Sequence, residues 1–349
     1  MVRRTALIAG ASGLIGRRIA ERLTLSGDWE VIGLARTVRP ALGMRWIAVD
    51  LTDAHDCARK LADLSSVTHL FYAARYEHSE GAPEAVETNA AMLRNVVDVL
   101  EAKAALEHVH VVHGTKYYGH QLGPLKVPAH EDDARGAGRN FYFVHEDFLR
   151  ARSNGKSWSY TRTRPHAFCD PAVDIPRSIG LLIAVYAAVQ RELDLPLNFP
   201  GSAKAYEVRT QFTDSAMLAR AIEWMATEPR CADQAFNIVN GDYPCWSELW
   251  PKFARGFGIG QGAPRAINLV QYMADKGHVW QRIINQHGLR PTALDTLVLW
   301  SYGDYVFKPE WDIMSSMEKA RAFGFGEAVD SGAMFMRQFD HYRAQKIIP

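Results

Sequence analysis

An excess of charge of either sign is missing from this chain of 349 residues: 40 Lys and Arg stand against 39 Asp and Glu. A net charge of +1 leaves no electrostatic footprint for nucleic acid or for an anionic membrane surface. Cysteine is scarce as well. Cys57, Cys169, Cys231 and Cys245 form no CxxC pair and have no histidine at zinc spacing, which excludes a disulfide scaffold and fits free thiols in a reducing compartment. The longest apolar run, residues 179–189, falls short of the roughly 20 residues that span a bilayer. Internal repeats and low-complexity tracts are absent, and the first residues lack a secretory pattern because their apolar run ends in a glycine motif. The expectation is a soluble cytoplasmic protein, and an enzyme.

What the chain does have is ordinary globular composition, 48% hydrophobic and 23% charged, in a length that suits one large or two intimate domains. Apolar runs predict strands at 5–9, 30–35, 46–49, 68–73 and 108–113, with helices at 13–26 and 85–104. Strands alternating with helices imply parallel crossovers and helices on both sheet faces, an α/β doubly wound sheet of extended Rossmann type. Residues 116–139 are polar, rich in Gly and Pro, and without a period, as functional loops of that length are. A helix at 140–152 and a strand at 157–163 follow. Six of the nine Trp lie beyond residue 220. We expect a dinucleotide-binding domain over 1–165 and a smaller, mostly helical substrate-binding domain over 166–349, partly interleaved with the first. The helix at 179–190 is apolar nearly all round, which suggests burial between domains or at a subunit interface.

Gly10-Ala11-Ser12-Gly13-Leu14-Ile15-Gly16 follows the first strand directly and opens the first helix. In that setting Gly10 allows a tight turn, Gly13 lets backbone N–H groups approach a pyrophosphate, and Gly16 lets the helix pack on the strand. Gly10, Ser12, Gly13, Leu14 and Ile15 are the candidate pyrophosphate residues. A glycine turn without a ligand is the alternative. The second strand ends at Arg36 with no Asp or Glu beside it, which favours a 2′-phosphate and hence NADPH over NADH; a solvated Arg36 is the bland reading. Asp50, after the third strand, can accept the adenine amino group or cap the helix that follows. Leu51 and Ala73 complete the candidate cofactor set.

A Tyr followed four residues later by Lys, the usual short-chain dehydrogenase pair, occurs only at Tyr272/Lys276 and Tyr342/Lys346, too far past the nucleotide half to serve. After strand five stands Gly114-Thr115-Lys116-Tyr117-Tyr118, and the next helix opens Asn140-Phe141-Tyr142-Phe143-Val144-His145-Glu146-Asp147. These segments resemble the Thr-Gly-x-Lys-His-Tyr and Asn-Phe-Tyr-Tyr-x-x-Glu-Asp patterns of the progesterone 5β-reductase/iridoid synthase-like enzymes, an atypical group of short-chain dehydrogenases/reductases. The likeness runs on through residues 185–188, 235–242 and 300–304 to Lys346-Ile347-Ile348-Pro349, over essentially the whole chain.

The resemblance implies that Lys116 and Tyr142 are catalytic, that Phe168 neighbours the nicotinamide, and that Tyr302 stands at the substrate mouth where plant members carry Phe. It implies NADPH-dependent hydride addition to the β-carbon of an enone or enal, and suggests a homodimer. A phenol aimed at the carbonyl oxygen stabilises the developing enolate, and a nearby Lys⁺ favours phenolate character. The departures, Tyr117 for His, Phe143 for Tyr and His166-Ala167-Phe168-Cys169-Asp170 for Gly-Asn-Ile-Phe-Gly, surround the pocket and leave the substrate open. Alternatives are a ketone reductase or sugar-nucleotide epimerase/dehydratase on the same scaffold, and a non-catalytic NADP-binding sensor. No metal is expected: His108 and His110 share a strand face while His113 points elsewhere, which is no zinc set.

Overall fold

A computed structural model of the protein describes residues 4–38, 43–76 and 83–349. Seven strands form one all-parallel sheet: β1 (Arg4–Ala9), β2 (Trp29–Ala35), β3 (Arg45–Ala48), β4 (His69–Tyr72), β5 (His108–Val112), β6 (Ser159–Arg164) and, beyond the two-residue pair β7 (Phe168–Cys169) and β8 (Thr213–Asp214), β9 (Ala235–Asn237). Their order is β3-β2-β1-β4-β5-β6-β9. The order reverses direction between β1 and β4, and the crevice outside the carboxyl ends of those strands is where such sheets take ligands.

Alternation along each strand decides what packs on which face. Leu7, Ala9, Ile32, Leu34, Leu70, Tyr72, Val109 and Val111 point to the side covered by α2 (Ala54–Lys60), α3 (Val86–Lys103) and α4 (Phe141–Ser153). Ala6, Ile8, Val31 and Phe71 point to the side covered by α1 (Leu14–Ser26) and by the helix Ser215–Thr227. The sheet is thus covered on both faces, the doubly wound arrangement read from the alternating runs. One of its helices and its last strand come from the second half of the chain.

A further core is helical. The helix α5 (Ile179–Glu192) is buried from Ile179 to Gln190. It packs against the helices Trp246–Phe257, Gly277–His287, Trp300–Val306 and Ser331–Ala344. Its all-round apolar surface is therefore the centre of this second core, rather than a seam between domains. The four cysteines are free and buried. Among the described residues no helix is long and apolar enough to cross a membrane.

Candidate active site

The turn after β1 is shaped by its glycines. Gly10 has φ +82°, and a Cβ there would lie 2.8 Å from the Ala74 backbone. A Cβ on Gly16 would lie 2.2 Å from the Gly10 carbonyl oxygen, so only glycine lets α1 start this close to the strand. No side chain caps α1 at Gly13 and no acidic residue stands in its first turn. The first N–H groups of the helix and its dipole are thus left facing outward, the arrangement that accepts a phosphate. Ser12 is half-buried and Gly13 exposed in the same turn.

Tyr142 and Lys116 come from different elements and are joined by one side chain. Buried Asn140 is the N-cap of α4; its Oδ1 accepts the Tyr142 N–H at 3.0 Å while its Nδ2 donates to the Lys116 carbonyl at 3.2 Å. Lys116 itself lies in the short 3-10 turn Thr115–Tyr118. That turn is held from beneath. Tyr117 donates to Glu146 at 2.8 Å, Tyr118 donates to Asn237 at 2.7 Å, and buried Arg164 donates to the Tyr118 oxygen at 2.9 Å. The Arg164 guanidinium also sits 3.4 Å from the Tyr117 ring centroid. Tyr117 and Glu146, the latter at the position where a Tyr-plus-four lysine would stand, therefore serve this support.

The Lys116 ammonium lies 5.7 Å from the Tyr305 ring centroid. Burial, with Arg75 nearby, holds it below the usual lysine range. Burial likewise pushes the Tyr142 phenol up to about 12. The expected pull toward phenolate is not met, because desolvation outweighs the surrounding cations; the group is a hydrogen-bond donor at neutral pH. A side chain at residue 114 would come 3.2 Å from the Tyr142 Oη, so Gly114 leaves room for the phenol. His113 stacks on the Tyr142 ring at 4.7 Å and 22°. It is buried, both its ring nitrogens lack a partner among the described residues, and burial holds it well below the ordinary histidine range, hence neutral.

One cavity of about 980 Å³ is lined by Gly13, Leu14, Ile15, Ala73, Lys116, Tyr142, Phe168 and Tyr302. It brings together eight of the residues singled out in the sequence. Gly10 and Ser12 lie in the turn but off its wall. Arg36, Asp50 and Leu51 stand apart from it, beyond the carboxyl ends of β2 and β3. Arg36 is exposed, and its charge helps hold the Asp50 carboxyl below the usual range, after the hydrogen bonds from Thr52. Asp50 does not cap α2: its Oδ1 accepts from the Thr52 N–H at 2.9 Å and hydroxyl at 2.7 Å, and the cap is Asp53. Leu51 is buried and its carbonyl accepts from Asn95 at 2.9 Å.

The cavity also contains residues that pattern reading passed over, among them Arg75, His120, Arg177 and Tyr305. His113, Thr115 and His166 line it as well; Thr115 stands in the motif before Lys116, His166 opens the segment that departs from the family pattern, and His113 entered the sequence reading only as a candidate metal ligand. His108 and His110 do share a face, where their ring nitrogens meet Ser159, Thr161 and Thr163 at 2.8–3.3 Å.

The family model described as the PRISE-like Rossmann-fold domain matches residues 50–349. An (S)-8-oxocitronellyl enol synthase of Camptotheca acuminata is 33% identical, over 99% of this chain and 93% of its own length. A 3-oxo-Delta(4,5)-steroid 5-beta-reductase of Arabidopsis thaliana is 34% identical over the same shares. Among solved structures, a short-chain dehydrogenase/reductase superfamily protein of Agrobacterium tumefaciens, with bound NAD, superposes with a TM-score of 0.69 at 14% identity, covering 98% of each chain, which shows a shared fold. With the sheet order, the glycine turn and the Lys116–Asn140–Tyr142 arrangement in view, this chain belongs to the PRISE-like Rossmann-fold family and is an enzyme of the short-chain dehydrogenase/reductase type.

Proposed function

We propose that the enzyme is an NADPH-dependent reductase that adds hydride to the β-carbon of an α,β-unsaturated carbonyl compound, an enone or enal. The observation that carries this is a protonated, desolvated phenol, Tyr142, sharing one cavity with Lys116, Phe168 and the uncapped start of α1. The residues present fit a dinucleotide. Gly10, Ser12, Gly13, Leu14 and Ile15 would hold its diphosphate, Arg36 a 2′-phosphate, and Asp50 and Leu51 its adenine. Ala73 and Phe168 would lie along its path to the cavity. Once bound, the reduced nicotinamide supplies the hydride.

The side chains supply the rest. Tyr142 Oη donates a hydrogen bond to the substrate's carbonyl oxygen, where negative charge grows as the β-carbon is reduced. The phenol's high pKa keeps its proton in place before the reaction and allows it to be shared with an enolate of similar basicity. Lys116, held below its ordinary basicity by burial, shares the cavity with Tyr142 and would hydrogen-bond the nicotinamide ribose. Neutral His113, stacked under the Tyr142 ring, fixes the ring plane without adding a competing charge.

The names of the curated relatives, an enol synthase and a steroid 5-beta-reductase, support chemistry at such a carbonyl. The test is loss of reduced-nicotinamide absorbance with 2-cyclohexen-1-one, a linear enal, a bulky steroid enone and a saturated ketone. Turnover of the enones with NADPH, lowered about 10²–10³-fold in kcat by Tyr142→Phe with NADPH affinity retained, is expected. Unchanged turnover in that variant removes Tyr142 from its role. Turnover of the saturated ketone alone replaces the reaction class.

A further inference from the structure

Among the described residues the charged side chains lining the cavity are Arg75, Lys116, Arg177, Arg209 and Lys308, with no Asp or Glu. Two of these cations are answered from outside the wall: Arg75 by Glu84 at 3.5 Å and Arg209 by Glu248 at 3.2 Å. Lys116 has its place in the reaction proposed above. Lys308 is exposed and, like Arg177, has no ion pair among the described residues; what sets Arg177 apart is its place over an aromatic ring. Among the described residues its guanidinium makes no ion pair or hydrogen bond; it stands 5.0 Å over the Tyr302 ring centroid. Its charge is felt at Tyr142, Lys116, Tyr302 and Tyr305. Tyr302 belongs to the helical side of the cavity, which sets this cation at the substrate end; the cavity also takes in Gly13, Leu14 and Ile15 of the α1 turn, so the dinucleotide phosphates are the competing anion, and an acid preference that does not depend on Arg177 assigns the cation to them.

The segment carrying Arg177 is fixed at several points. Asp170, fully buried, pairs with Arg18 at 2.5 Å, and Asp174 pairs with Arg17 at 3.2 Å. The Pro176 carbonyl accepts from the Leu299 N–H at 3.0 Å, and Ser178 caps α5. Both acidic residues of the segment are thus committed to α1, and its one remaining charge points at the cavity mouth. A guanidinium stacked on an aromatic ring keeps its edge donors free, and those donors match a carboxylate in a planar fork.

We propose that Arg177 is the anchor for a carboxylate, so that the enzyme's substrates are α,β-unsaturated carbonyl compounds that carry an acid group away from the reacting end. This rests on the enone-reductase reading, and divides the substrate into two ends: the carbonyl at Tyr142 and the carboxylate at Arg177 beside Tyr302. A neutral ester of the same skeleton keeps the first end and loses the second.

The experiment uses the intact enzyme with NADPH and two probes, the linear eight-carbon 2-enal that ends in a carboxylate and its methyl ester. The expected result is a kcat/KM for the acid at least about tenfold above that for the ester, carried mainly by KM, as a charge-assisted bond provides. That ratio should fall to near one in Arg177→Met and be partly restored in Arg177→Lys. The ratio, not the absolute rate, is the readout, so a general loss of activity does not mimic the effect. In parallel, the NADP⁺ complex is titrated with the saturated eight-carbon hydroxy acid and its methyl ester, which reads the same preference without turnover. Ester and acid turned over alike, or a ratio unmoved by Arg177→Met, overturns the carboxylate anchor and leaves the reductase reading standing. A carboxylate preference in titration, lost in Arg177→Met, with no turnover of either enal, overturns the reductase reading and keeps the anchor.

Discussion

Arg36 and Tyr142, both given roles in the proposed reaction, stand in very different surroundings. Tyr142 is defined by its surroundings: burial sets its protonation, Gly114 gives it space and His113 backs its ring. Arg36 is exposed at the end of β2, with only a long-range effect on Asp50. Its proposed contact, the 2′-phosphate, is charge-assisted and worth about 1.5–3 kcal/mol. Arg36→Ala should therefore raise KM for NADPH roughly 10–100-fold and leave KM for NADH nearly as it was, since only the former has the phosphate. Steady-state kinetics with both dinucleotides checks this; equal changes would remove Arg36 from cofactor selection.

At the scale of elements, the junction between the 3-10 turn and α4 joins Lys116 and Tyr142, the two residues of the proposed reaction, through Asn140. Its two hydrogen bonds can be separated by substitution. Asn140→Ser keeps an acceptor for the helix N-terminus but is too short to reach the Lys116 carbonyl, whereas Asn140→Ala loses both. The Ala variant should lose about 1–2 kcal/mol of stability in urea unfolding. The Ser variant should lose a few tenths of that while still losing kcat, with KM for NADPH unchanged in both. A kcat that follows stability across the pair would reduce Asn140 to a cap.

The elements also show what could be read in advance. The five strands, α1 and α3 of the first 113 residues were legible because buried parallel strands are continuous apolar runs and α1 keeps a regular apolar face, whereas α2, only seven residues long, was given no range. Strand β9 has only three residues and joins the sheet because Ala235–Asn237 pair with Arg162–Arg164, a tertiary fact with no local period. Lys116, Tyr142, Phe168 and Tyr302 were found through family likeness and meet in one cavity. Arg177 and Arg75 were not, since an arginine in an irregular segment looks like any solvated arginine until the fold sets it on the cavity wall. Asp50 was misjudged as a rival helix cap because Asp53, three residues on, offers the same chemistry.

At the scale of the whole molecule, an unusual number of histidines are buried without charge. His69, His120 and His145 are held at about 4 and His110 at about 3, in each case chiefly by burial. His108 and His113 are driven the same way. These six are neutral in the folded protein, five of them on or against the sheet and its helices and His120 at the cavity wall, whereas in the unfolded chain each takes up a proton near pH 6.5. Between about pH 6.5 and 4 the unfolded state therefore binds more protons than the folded one, so stability falls as pH falls through that window. Each fully buried imidazole then costs about 1 kcal/mol at pH 5.5 relative to pH 7.5, and the six together cost several. Against a total of about 5–15 kcal/mol for a domain, that loss is large. Urea unfolding at the two pH values should show a midpoint well below the neutral one at pH 5.5, above the range where carboxylates protonate. His110→Gln or His108→Gln, which keep hydrogen-bonding capacity toward Thr161, should each flatten the slope by about one histidine's share. A midpoint constant from pH 7.5 to 5.5 would mean that these rings take up protons within the fold, and would remove histidine burial as the source of acid sensitivity.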